Sequence, residues 1–180
     1  RHILTQFLPP VEGLPALRST DPARWRLFPW WVPDAAVSRD PRPALRPEVV
    51  VLGAAGPMYD LRMWVAEQPS VSGFLRLSSY ERGAARLGPG DYFDLLSRQS
   101  AIVVAFSEDD RMRVPVAKYL EVPASGALLI AARAHHLDEM GFRDGENCLV
   151  FEGRQDFEAV VQRFLDEPGA FADTAERGRQ

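Results

Sequence analysis

Lysine and cysteine are almost absent from this 180-residue chain: of its 21 basic side chains only Lys118 is a lysine, and Cys148 is the single cysteine. One cysteine excludes an internal disulfide framework and any thiolate-based zinc cluster. It fits a cytosolic setting without establishing one. Histidine is scarce as well. His135 and His136 are adjacent, so on a helix they point in different directions, and His2 is far away in sequence, which makes a poor ligand set. The G-x-S-x-G elbow is missing, and no Ser-His-Asp or Cys-His set has a supportable arrangement. No apolar run reaches membrane-spanning length and no leader pattern is visible. Positive charge is not in excess: 21 basic residues face 25 acidic ones, a net charge of -4. That argues against general nucleic-acid binding and leaves room for a local basic pocket.

What the chain does contain is a hydrophobic fraction of 46% and a charged fraction of 26%, the balance of a soluble globular domain with a real core. The composition changes near residue 48. Residues 1 to 47 carry nine of the 15 prolines and seven arginines against four acids. Proline removes backbone donors and restricts its predecessor, so this stretch reads as an arm or connecting segment rather than as regular helix or sheet. Its run Phe28-Pro29-Trp30-Trp31-Val32-Pro33 calls for cover on the main domain or on a partner. The chain opens at Arg1 without a methionine, the expectation for a fragment or a processed product.

From residue 48 the pattern is regular. Continuous apolar runs at Val49–Leu52, Ala101–Phe106, Gly126–Ala131 and Cys148–Phe151 predict strands, and Phe74-Leu75-Arg76-Leu77 reads as a further one. Between and after them come helical patterns: Leu61, Trp64 and Val65; Tyr92–Arg98 with Asp91 as its cap; a helix opened by Pro115 and carrying Val116, Tyr119 and Leu120; a turn at Leu137–Met140; Asp156–Leu165; and Gly169–Arg177. Buried strands alternating with helices predict a doubly wound, mostly parallel, Rossmann-like α/β sheet covered on both faces. Such sheets bind ligands beyond the carboxyl ends of their strands. The loops to inspect are Gly53–Arg62, Ser78–Tyr80, Ser107–Lys118 and Ala132–His136.

Gly53-Ala54-Ala55-Gly56 has the look of a loose phosphate loop, without the lysine and hydroxyl of a P-loop and short of the dinucleotide fingerprint. A pure turn is the competing reading. Arg62, just inside the next helix, offers a forked donor pair for a diphosphate, or is a surface arginine. The acids Glu108, Asp109 and Asp110 read as a solvated loop, since consecutive residues rarely converge on one metal. Lys118 and Glu121, three apart, share a helical face; they form a surface ion pair, or set a cation near phosphate and a carboxylate near ribose hydroxyls. Cys148, at a strand start, is assigned to the core rather than to nucleophilic chemistry.

Lys118-Tyr119-Leu120-Glu121-Val122-Pro123-Ala124-Ser125-Gly126-Ala127-Leu128-Leu129, the D-G-x-N segment within Gly141–Phe151, the pair Asp166-Glu167-Pro168 and Ala175-Glu176-Arg177-Gly178, and the loop Gly53–Arg62 appear in a specific order. Together they resemble the C-terminal, donor-binding domain of family-one-type glycosyltransferases of the two-domain GT-B fold, in the branch that includes spore-maturation-like members. Trp31-Val32-Pro33-Asp34 is similar to a degraded form of the segment leading into that domain. The resemblance covers 48 to 180 well, as the nucleotide-sugar-binding domain with a C-terminal helix pair, and 1 to 47 faintly.

The resemblance implies a nucleotide-diphosphate sugar as substrate, no cofactor and no metal. Glu121 matches the second glutamate of the family's paired-glutamate motif, which holds the donor ribose. The first glutamate falls at Arg113, which leaves the sugar contacts and the stereochemical course open. Gly53 matches the first-loop glycine beside the donor, with Arg62 and Lys118 candidates for the diphosphate. Ser107 is placed on the base or phosphate side, and His135 and His136 lie where the family's loop faces the donor. The acceptor and any base are expected from an N-terminal domain outside these residues, in a cytoplasmic enzyme with peripheral membrane contact left open. Two other readings stand beside active transfer: a non-catalytic nucleotide-sugar-binding module, and a structural or regulatory phosphate-binding α/β domain.

Overall fold

The computed structural model describes residues 3–5, 25–27, 32, 37, 44–76 and 88–180. Phe28, Trp30, Trp31, Leu77 and the Ser78–Tyr80 loop lie outside the described residues. Within the proline-rich segment, β1 (Ile3–Thr5) and β2 (Trp25–Leu27) form a short parallel pair, Ile3 opposite Trp25. This is regular structure where the proline count argued for little.

The main sheet contains β3 (Val49–Gly53), β4 (Gly73–Arg76), β5 (Ala101–Val104), β6 (Leu128–Ala132) and β7 (Leu149–Phe151). Its order is β4-β3-β5-β6-β7 and every pair is parallel. The helices are α1 (Asp60–Ala66), α2 (Pro89–Ser97), α3 (Lys118–Ala124), α4 (Arg154–Asp166) and α5 (Ala172–Arg179). This is the expected doubly wound α/β fold. The chain leaves β3 toward β4, then returns past β3 to begin β5. The direction of winding therefore reverses between β3 and β5, and right-handed crossovers put the connections on opposite faces.

The strands alternate their side chains between two apolar layers, which is why they read as continuous apolar runs. Val49, Val51, Val103, Ile130 and Phe151 meet Leu61 and Val65 of α1 and Phe157, Val161 and Phe164 of α4. Leu52, Ile102, Val104, Leu129 and Val150 meet Leu96 of α2 and Tyr119 and Val122 of α3. Cys148 is fully buried in this second layer, and burial pushes its thiol up to about 12. It is a core residue, as its place at a strand start suggested. Among the described residues no helix is long and apolar enough to cross a membrane.

Several helix boundaries differ from the sequence reading for local reasons. Asp91 is not the cap of α2. The helix opens at Pro89 behind Gly88, so Asp91 sits in the first turn, where a carboxylate favours the helix dipole and proline's fixed φ suits the first position. Pro115 does not open α3. It is buried three residues ahead of Lys118, and the preceding carbonyl of Arg113 is taken by the His135 amide at 2.8 Å. Helix α4 begins two residues before Asp156, because that carboxylate reaches back to accept from the Glu152 and Gly153 amides. The expected final helix divides into a 3-10 turn at Pro168–Phe171 and α5. Leu137–Met140 is a hydrogen-bonded turn, closed by Met140 N–H to the His136 carbonyl.

Phe157 joins β7 to α1: its ring packs edge-on to Phe151 at 5.1 Å and to Trp64 at 5.7 Å, fully out of solvent. Phe157→Ala removes both contacts and leaves a cavity. Denaturant unfolding is expected to show a loss of about 3–5 kcal/mol; a loss under about 1 kcal/mol would place this ring outside the cooperative core.

Candidate functional site

In open α/β sheets a ligand crevice is expected where the winding reverses, here beyond the carboxyl ends of β3 and β5, and Arg62 lies between those two ends. Only 2% of Arg62 is exposed. Its Nε donates to the Ala105 carbonyl beyond β5 and its Nη1 to the Ala54 carbonyl beyond β3, both at 2.8 Å. Its own amide donates to the Phe106 carbonyl at 3.4 Å. The guanidinium lies over the Tyr59 ring, 4.2 Å from the centroid, with the Phe106 ring 5.6 Å away. Tyr59 and Phe106 meet edge to face at 4.9 Å. Arg62 is therefore not a surface arginine. It straps two loops together, and no ion pair to it exists among the described residues. Burial holds its pKa below the ordinary arginine value, and Tyr59 opposes that by favouring the charge.

Gly53 is required by this strap. Its φ is +145°, a region side chains rarely adopt, and a Cβ there would stand 2.5 Å from the Arg62 guanidinium carbon. The glycine expected to lie beside a ligand thus has a packing reason of its own: the guanidinium rests where its side chain would be.

Ser107 follows β5 and is nearly buried, at 7% exposed. Its hydroxyl donates to Asp60 at the start of α1 and accepts from the Asp109 amide at 3.1 Å. Asp60 also accepts from the Glu108 amide at 3.2 Å, and these bonds, led by Ser107, hold its pKa below the usual carboxylate value. The hydrogen of Ser107 is already engaged in tying the β5 loop to α1. The acidic run after it is distributed, not convergent. Glu108 pairs with Arg154 at 2.8 Å, Asp109 with Arg111 at 2.6 Å, and the Asp110 carbonyl accepts from His135 Nε2 at 2.8 Å. Among the described residues no group of His, Cys, Asp and Glu is arranged to hold a metal.

Lys118 and Glu121 both fall in the first turn of α3. Lys118 is half-buried, and its pKa is pulled below 10.5 first by burial. Glu121 opposes the shift and the charge of Arg62 reinforces it. The lone lysine and the buried arginine thus interact electrostatically. Glu121 is half-buried too, and its Oε2 accepts a 2.7 Å bond from the Tyr92 hydroxyl of α2. Burial, then the carboxylate, raises the Tyr92 pKa well above its ordinary value.

Arg113 and the histidines rim the same end of the sheet. The Arg113 carbonyl is bonded to the His135 amide. His136, at φ 60°, pairs through Nδ1 with the Glu139 carboxylate. The structure therefore sets Gly53 against the Arg62 guanidinium, couples Lys118 electrostatically to Arg62 and Glu121, and ranges Ser107, Arg113, His135 and His136 along the loops at the same end of the sheet. Tyr59 and Tyr92 were not singled out from the sequence. Tyr59 stands three residues before Arg62, at helical spacing, a signal that was present; the pairing of Tyr92 with Glu121 crosses between helices and has no local signature.

Residues 46–180 match the model of the family described as glycosyl transferase-like, and the chain belongs to that family. Among solved structures, TarM matches with a TM-score of 0.63 at 13% identity, over 99% of this chain and 39% of TarM. A mutant of S. aureus TarM in complex with Fondaparinux, alpha-GlcNAc-glycerol and UDP matches at 0.63 and 12% identity, over 99% of this chain and 39% of that one. Anabaena HepE in complex with UDP-glucose matches at 0.60 and 12% identity, over 89% of this chain and 53% of HepE. At these identities the likeness shows the fold, the Rossmann-like α/β architecture of a GT-B domain. The chain spans about two fifths to one half of these proteins. No curated protein matches the sequence.

If Gly53 exists to admit the guanidinium, its replacement should couple to Arg62. Gly53→Ala is expected to destabilise by about 1–3 kcal/mol. In the Gly53→Ala/Arg62→Ala double variant the clash is gone, so the two losses should fall short of additivity by at least about 0.5 kcal/mol. Strict additivity in denaturant unfolding would mean that strain at φ +145° alone is responsible.

Proposed function

We propose that this chain is the donor-binding part of a glycosyltransferase: it holds a nucleoside-diphosphate sugar while the sugar moves to an acceptor bound elsewhere in the parent protein. The observation that carries the reading is a buried guanidinium, Arg62, held by backbone carbonyls at the winding reversal of a parallel sheet, with Lys118 electrostatically coupled to it and the Glu121 carboxylate one helical turn from the lysine. A buried cation without a carboxylate partner is costly, and an anion in the crevice would offset that cost. The family and the UDP and UDP-glucose complexes of its structural neighbours support a nucleotide ligand.

In this scheme the bond between the anomeric carbon and the β-phosphate oxygen breaks, and a bond to the acceptor oxygen forms. The acceptor proton leaves to a base outside this chain. Negative charge builds on the departing diphosphate, and the half-buried Lys118 and the buried Arg62 stabilise it. Glu121 accepts hydrogen bonds from the ribose hydroxyls. Gly53 and Ser107 keep the loops in place, while Arg113, His135 and His136 lie on the rim, where the sugar and outer phosphate would pass. The nucleotide sugar is substrate and the scheme uses no further cofactor. Membership of the spore-maturation-like branch, segment 1 to 47 as the connection to an acceptor domain, and a cytoplasmic location belong to the same proposal.

Lys118 offers a direct test, because its amine is the only one in the chain besides the α-amino group. A bound diphosphate both covers it and raises its pKa, so acylation should slow. UDP, ADP or GDP is expected to protect Lys118 and leave the α-amino group unchanged, while the matching nucleoside protects neither; equal acylation with and without every nucleotide would contradict the proposal. Glu121→Gln should weaken nucleoside diphosphate binding by about 1–3 kcal/mol, read by calorimetry. Purified residues 1–180 are expected to transfer no sugar without a partner chain, and turnover to added acceptors by this chain alone would refute the division of labour.

A further inference from the structure

The Tyr92 hydroxyl donates to Glu121 Oε2 at 2.7 Å, from one helix to the next. We infer that Tyr92 is a positioning residue that makes the Glu121 carboxylate selective for ribose over deoxyribose; this rests on the role proposed above for Glu121.

A carboxylate discriminates between sugars only when it is constrained. On a mobile side chain it can hydrogen-bond water as readily as a sugar, so a missing hydroxyl is replaced by solvent and little preference results. Held in one rotamer and partly out of water, it leaves an acceptor unsatisfied when the hydroxyl is absent, and the preference grows. Glu121 is half-buried in the first turn of α3. Tyr92 engages Oε2 alone, so Oε1 carries no hydrogen bond among the described residues. Tyr92 is itself held: its ring meets Phe93 at 5.4 Å, it lies in the middle of α2, and it packs against the layer formed by Leu96, Tyr119 and Val122. Lys118, at the head of the same turn, is the charged group electrostatically coupled to Glu121, with Arg62 beyond it. Among the described residues no other hydrogen bond to the carboxylate fixes its direction. A tyrosine serving only to tie α2 to α3 could bond any α3 acceptor; this one bonds the single carboxylate of that helix.

The test measures calorimetric affinities of UDP, ADP and GDP and of their 2′-deoxy counterparts for the wild-type chain and for Tyr92→Phe and Glu121→Gln, with thermal unfolding of each. Tyr92→Phe keeps the ring and its packing. It is expected to lower the ribo-to-deoxy preference by about threefold to tenfold through loss of ribonucleotide affinity, with deoxynucleotide affinity unchanged. Glu121→Gln should reduce the preference further, and Tyr92→Phe should then have no added effect in the double variant. A merely structural tyrosine would weaken both nucleotides equally or lower stability alone, and an unchanged ratio in Tyr92→Phe beside a reduced one in Glu121→Gln would overturn the inference while leaving Glu121 in its role. A ratio unchanged in Glu121→Gln, or no binding of any of the three nucleotides, would remove Glu121 from the ribose and the inference with it.

Discussion

The geometry of the crevice depends on one buried guanidinium. Arg62 stands where the winding reverses, bonded to the carbonyls of Ala54 and Ala105. Through those two bonds it sets the separation of the loops that follow β3 and β5. Gly53 must be glycine to let it in, Tyr59 must be flat to lie beneath it, and the Ser107–Asp60 bond closes the same seam from the other side. Backbone carbonyls alone satisfy it geometrically. They do not supply the countercharge that a buried cation calls for, and this is the physical reason to look for an anion here.

Charge in the crevice is arranged as an opposed set. Arg62 disfavours the proton on Lys118, and Glu121 favours it. Because burial leads and the folded value lies below 10.5, the unfolded chain binds more protons between the folded and the ordinary value, so this group makes stability rise with pH across that window. In the proposed complex a bound diphosphate would reverse the sign locally by favouring the protonated amine. On the proposed reading Lys118 would link ligand binding to proton uptake.

Much of this fold is legible in the sequence because burial on both faces leaves continuous apolar strands such as Ala101–Val104. The amphipathic stripe of Phe157, Val161 and Phe164 announces α4 just as clearly. Boundaries were harder to read where one side chain acts at a distance of a few residues, as when Asp156 reaches back to extend α4, or where a long-range bond captures the chain, as when His135 takes the carbonyl of Arg113 ahead of Pro115. In the site, the sheet rule pointed to the loops beyond the carboxyl ends of the strands, and helical spacing placed Lys118 with Glu121 in the first turn of α3. Spacing could not tell a surface arginine from a buried strap, because Arg62's partners lie on another strand. Nor could it find Tyr92, whose partner is 29 residues away.

The central claim is that the crevice is built for a diphosphate. Calorimetric titration of the wild-type chain with a nucleoside, its monophosphate and its diphosphate, in uridine, adenosine and guanosine series, tests it most directly. For at least one base, affinity should climb along the series, with the diphosphate about tenfold or more tighter than the monophosphate, the scale of a charge-assisted hydrogen bond. Equal affinity for all three members of a series that binds, or no binding in any series, would contradict it.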